Sequence, residues 1–539
     1  GALNVNKTGD SDSVSFANGA NFVTTDTLTL TNGQINNPVS VAKDITLATT
    51  FDGGNSAITL NGTGLQTLTL SSGTLPSGAL TVSKASGKAI ITGTGTVTGD
   101  VTLSQGVLEF AAGNTYTMTT GKTVTTAAGT TLRFAGSSGG LVTLTATSIW
   151  NLADSGQTYA NYTAVDHSNN SAGTIYAINS TDNLNNTGWN FTTTARAWDG
   201  GASTTVWNDA ANWNPDGVPD ANDTVTINSS SANLAVTTSA DISFGTLTIG
   251  GDTTYTNKLT STNNFTSAGD LTVTSNGTFE QKNAWATALT LNGSLVVTGS
   301  SGYLGTLTHG DNSTSEAWRV NMTIAGGITV DIYGKVNADE MGYDSYNGPG
   351  RGSSYYNGLY TGASYGGRGS DGFTISGVPS VSGPTYGSLT EPTNLGSTNC
   401  CRSGGGAIKL STGGAISVNG SISSNGPSYA AHDSQSGGSG GSVYLISSTL
   451  EGSGSITANG GQNTSGYASG GGRVALYYDN KTFSGALTAY GASGASKPSA
   501  AGTIYLKASS DTKGSVLIDN ADILANDGSI TTEIPSGQN

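Results

Sequence analysis

A near-repeat toward the C-terminus limits what this chain can fold into more than any other feature. GAIKL (406–410) returns as GSVYL (441–445), GRVAL (472–476) and GTIYL (502–506), with a nearly constant step. A second phrase alternates with the first: GSISSNG from Gly420, GSITANG from Gly454 and GALTAYG from Gly485. A short strand recurring at such a period cannot bury its apolar face alone. Stacked copies bury it on one another, which predicts a β-solenoid. The expected class is all-β, of the right-handed parallel β-helix type, with a long Gly/Tyr-rich insertion. Such a rod is first a scaffold, so function is expected from whatever interrupts the repeat.

The rest of the chain agrees. Apolar and polar residues alternate in TLTLTNG (27–33), ALTLNGSLVVTG (288–299) and GITVDIYGKV (327–336), the pattern of half-buried strands. Sustained helical spacing is absent. Asn-Gly pairs, at Asn32, Asn61, Asn276, Asn292, Asn419, Asn425 and Asn459 among others, suit tight corners because both residues reach left-handed backbone cheaply. Charged residues are only 10% of the chain, against about 25% in an average soluble domain. No apolar run is long enough for a membrane helix. The net charge of −15 speaks against nucleic acid, which needs a basic surface.

Three modules are expected: a β-rich, solenoid-like module over 1–195, a β module led by a tryptophan motif over 196–327, and a Gly-rich solenoid over 328–539. The last is interrupted by an insertion over 343–405. An insertion of that length inside compact repeats is usually functional or disordered.

Three stretches carry a family resemblance. They are STDNLNNTGWNF (180–191), the WDGG opening at Trp198 with its following Trp, Asn-Trp and GVP elements, and PTYGSLTEPTNLGS (384–397) leading into GGGAIKL. In these the chain resembles modules of very large bacterial surface and secreted proteins, β-helices of the adhesin or autotransporter-passenger type. The resemblance implies a β-helical architecture and an extracellular or cell-surface location. It transfers no catalytic residue. One departure is TNCCR (398–402), where more glycine is the pattern.

Candidate sites come from the interruptions. Trp198, Trp207 and Trp213 are read as a structural cap over an open solenoid end, since large aromatics cover much area. A competing reading makes Asp216, Asp220 and Asp223 a Ca²⁺ site, as hard cations take clustered carboxylates. No other cofactor or metal is expected. Tyr343, Tyr346, Tyr355, Tyr356, Tyr360 and Tyr365 crowd into the first part of the insertion, with Arg351 and Arg368 nearby. Tyr and Arg dominate interface hot spots, and Tyr faces also stack on sugars. This stretch is therefore read as a flap, a subunit interface or a glycan site. Cys400 and Cys401 are adjacent and are the only cysteines. A disulfide is expected, either between the two or to another chain. His167, His309 and His432 have no metal-ligand spacing, and GGSGG (437–441) and GRGSDG (367–372) are chance matches in glycine-rich sequence.

The function expected is that of an extracellular structural protein, a subunit of a self-assembling surface filament or layer, and not an enzyme. The alternatives are an adhesin ectodomain binding a glycan or another cell and, more distantly, a β-helix polysaccharide-degrading enzyme. Expected partners are other copies of the chain and surface glycans, with no nucleic acid and no membrane insertion.

Overall fold

The computed structural model describes residues 2–6, 13–14, 22–24, 26–137, 139–267, 269–352, 361–372, 380–399, 402–428, 437–461, 467–493, 497–523 and 531–534. Among these the chain is all-β. Its strands are stacked in long sheets whose ladders are almost entirely parallel. It forms two parallel β-solenoids with separate cores. One core runs from Val5 to Ala177, and the other from Trp198 to Ile504.

The second solenoid has three strands per coil, one more than its two repeated phrases. Face 1 holds Thr224–Ile227, Thr246–Ile249, Leu271–Val273, Leu295–Val297, Ile328–Val330, Ala415–Val418, Thr449–Glu451 and Asn480–Lys481. Face 2 carries the GSISSNG phrases, and face 3 carries GAIKL and its echoes. The face 1 strand escapes notice in the sequence because its last two copies are short and unlike.

The register follows the repeat. Val320 pairs with Ile408, Ile408 with Val443, Val443 with Val474 and Val474 with Ile504. All five are at most 2% exposed and form one interior column. Each such side chain contributes about 1.5–3 kcal/mol on burial. The glycine opening each phrase also has a cause. A Cβ on Gly472 would lie 2.2 Å from the Gly441 carbonyl oxygen, and one on Gly502 would lie 1.8 Å from that of Gly472. Successive coils approach backbone to backbone at this point, so only glycine fits.

The sheets run unbroken through residue 327, because Leu295–Val297 pairs with Ile328–Val330. The tryptophan-led and Gly-rich modules therefore share one core. Early coils advance by a constant step, as Leu247 pairs with Leu271 and Leu271 with Leu295. The coil that begins at Leu295 gains a hairpin, Gly299–Ser300 against Tyr303–Leu304, between faces 1 and 2, and later coils lengthen between faces 2 and 3, where the insertion also leaves the rod. Asx side chains pin that corner. Asp339 Oδ1 accepts the Asn425 amide (2.6 Å), Asn425 Oδ1 that of Asn459 (2.8 Å) and Asn459 Oδ1 that of Tyr490 (2.7 Å). This ladder gives the recurring Asn-Gly corners a structural role.

The first solenoid is less regular. Ile58, Leu80, Val101, Val124 and Leu152 pair in succession, with a step that changes from coil to coil. The variable step explains why no repeated phrase is visible there. The chain then turns back, and the second solenoid runs alongside the first in the opposite sense. The Leu65 amide donates to Asp479 Oδ2 at 2.9 Å. Thr131 faces Thr290 across a shared cavity, and Ile178 lies beside Gly245. The first coil of one rod and the last coil of the other thus share one pole.

Candidate functional site

The tryptophan motif lies at the start of the second core. Trp213 stacks edge-on against Trp198 (5.1 Å between ring centroids) and Trp207 (4.7 Å), and Trp207 leads into Phe244, Phe265 and Phe279. Ala195–Trp198 and Trp213–Asn214 form the terminal pair of face 1. All three indoles are buried. The Ca²⁺ reading is corrected. Among the described residues no group of carboxylates is gathered as a cation would need. Asp223 is 2% exposed, and its Oδ2 accepts from Arg196 Nε (2.5 Å) and the Asp220 amide (3.0 Å). Asp220 Oδ1 accepts the Asn222 amide, and the Asp216 carbonyl accepts from Arg196. The guanidinium supplies the positive charge that a cation would have brought.

The insertion folds back on the corner between faces 2 and 3. The Gly366 and Gly367 amides both donate to the Gly471 carbonyl (3.0 and 2.9 Å), and the Gly470 amide donates to that of Ala363 (2.8 Å). Tyr365 is 0% exposed, which corrects its reading as a recognition residue. Its hydroxyl bonds Ser442 Oγ (2.7 Å) and its ring lies 4.6 Å from that of Tyr386. Arg473 sits over the same ring at 5.7 Å, donates to the Tyr386 carbonyl (2.9 Å) and to Thr503 Oγ1 (3.0 Å), and so pins the insertion to the coils. Burial pushes the Tyr365 phenol up to about 12. Tyr343 is half-buried, and burial raises its pKa too. Tyr346 lies 5.9 Å from the exposed Arg351, and Arg368 bonds Ser382 (3.0 Å) beside Asp371. Tyr355, Tyr356, Tyr360, Cys400 and Cys401 lie outside the described residues, as does His432. Ser439, in the GGSGG match, is buried and donates to the Ser397 carbonyl.

Residues that the sequence did not single out meet between the rods. Lys88 and Arg133 flank Glu109 at 3.0 and 3.3 Å, and all three side chains are about nine-tenths buried. They occupy neighbouring coils of the first solenoid, where Glu109 pairs directly with Arg133. Desolvation lowers the Lys88 pKa despite Glu109, and brings Lys84 down to about 8. Beside the triad lies a cavity of about 500 Å³ walled by both solenoids, and a smaller one of about 190 Å³ adjoins it. Face 3 contributes Tyr477, held between Tyr444 and Tyr505 at 5.6 and 5.7 Å. Burial pushes the Tyr477 phenol up to about 12. The available signal was the spacing of three charged residues at coil length within otherwise charge-poor strands.

The class defined by this geometry is a parallel β-solenoid, here a pair of antiparallel rods with a side insertion. No family model, curated protein or solved structure matches the chain.

Proposed function

We propose that this chain is an extracellular structural protein that associates with copies of itself through the pole where its two solenoids end. The observation that carries this reading is the strand Ser515–Leu517, which closes face 3. Val516, Leu517 and the following Ile518 are 38, 44 and 45% exposed. Three consecutive exposed apolar residues on a sheet edge form a template for another strand unless something covers them. The first coil of the other rod, with Leu3–Asn6, lies at the same pole. Contact there brings the end of one copy's second rod to the start of another's first. The resemblance to bacterial surface modules favours the same location and role. Sedimentation velocity and electron microscopy across a concentration series test it. The wild type is expected to associate, and Leu517→Lys to stay monomeric with unchanged β content. A wild type that stays monomeric at high concentration, or a variant that assembles equally well, refutes the reading.

A further inference from the structure

The cavity between the rods has the features of a binding site, and we infer that it takes a carbohydrate. This inference does not depend on self-assembly. The cavity, about 500 Å³, falls within the usual range for small-molecule sites. Its walls combine apolar and aromatic side chains, Val107, Ile446 and Tyr477, with hydroxyl and charged groups that include Lys88 and Asp479. A sugar ring combines the same two chemistries, with a C–H face that packs on an aromatic ring and an edge of hydroxyls that both donate and accept. Thr63, Ser86 and Ser509 are exposed at the rim, so the cavity opens to solvent.

A second, independent observation points to a ligand. Ser447 lines the cavity and is only 7% exposed, yet its hydroxyl has no hydrogen-bond partner. Most buried polar groups are satisfied, and an unpartnered hydroxyl on a cavity wall is met there by water or by a ligand. An unpartnered hydroxyl that can donate and accept, in a cavity also lined by Lys88 and Asp479, matches a polyhydroxylated ligand better than an apolar one. An isolated anion is disfavoured because Asp479 lines the same cavity and Glu109 already pairs with its Lys88.

The test uses the full chain. A broad glycan array screens for binding, and titration calorimetry with the best-bound glycan follows. Tyr477→Ala is expected to weaken binding at least tenfold. Ser447→Ala is expected to weaken it several-fold while leaving the melting temperature unchanged or raised, since it removes a hydroxyl that bonds nothing in the free protein. That second variant separates recognition from folding. An array without a bound glycan overturns the inference, and so does a bound glycan whose affinity survives both substitutions.

Discussion

His309 should make the root of the insertion acid-sensitive. The residue ends the face 2 strand Tyr303–His309, pairs with Gln281 and is 0% exposed. Its Nε2 accepts the Ala407 amide at 3.3 Å, so Nδ1 carries the proton and donates to the Gly310 carbonyl at 2.8 Å. Neutral imidazole therefore ties the strand that follows the insertion to the coil before it. Burial, the largest cause, lowers its pKa from 6.5 to about 4. An unfolded or locally opened chain takes up the proton near pH 6.5 and the closed one only near 4. Between those values the open state binds more protons, so stability falls as pH falls. From pH 7 to 4.5 the loss is on the order of 2–3 kcal/mol, which is between tenfold and a few hundredfold in an opening equilibrium. Hydrogen exchange, corrected for intrinsic rates, reads this in peptides spanning 303–312 and 405–412. Their protection is expected to fall by that factor over the window. His309→Gln keeps one acceptor and one donor but does not titrate, so it should flatten the response. Every other ionisable group is common to the two proteins and cancels in the difference. Equal pH dependence in wild type and variant would refute the argument.

Two further outcomes follow from packing. Glu109→Ala leaves Lys88 and Arg133 buried between the rods with no counter-charge, at a cost of about 3–5 kcal/mol. Small-angle scattering should then show the rods parting, with a larger radius of gyration and an additional low-temperature unfolding step. Gly472→Ala forces a Cβ to within 2.2 Å of the Gly441 oxygen and should cost about 1–3 kcal/mol, read as a lower denaturation midpoint. An unchanged midpoint would mean the coils are not in backbone contact there.

The sequence alone determined the coil. Period-2 alternation chooses strands, and a phrase returning at a nearly constant step chooses stacking, because an apolar face that small is buried only on its own copies. The Ile408, Val443, Val474 and Ile504 column and the Asn-Gly corners follow from those local facts. The indoles of Trp198, Trp207 and Trp213 could likewise be singled out as large apolar groups awaiting cover. The rest came from contacts between segments remote in the chain. The reversal that lays one rod along the other depends on side-chain contacts such as Leu65 with Asp479, which lie far apart in the chain and share no period. The same holds for Lys88, Glu109 and Arg133, whose outward positions look like ordinary solvated charges until a second rod covers them. It holds for Tyr365 as well. A tyrosine in a glycine-rich loop reads as a recognition group, and only the presence of Arg473 and Ser442 beneath it makes it an anchor. Stacking within a rod repeats and so leaves a trace in the sequence. Docking between rods occurs once, at whatever residues meet, and leaves no periodic trace.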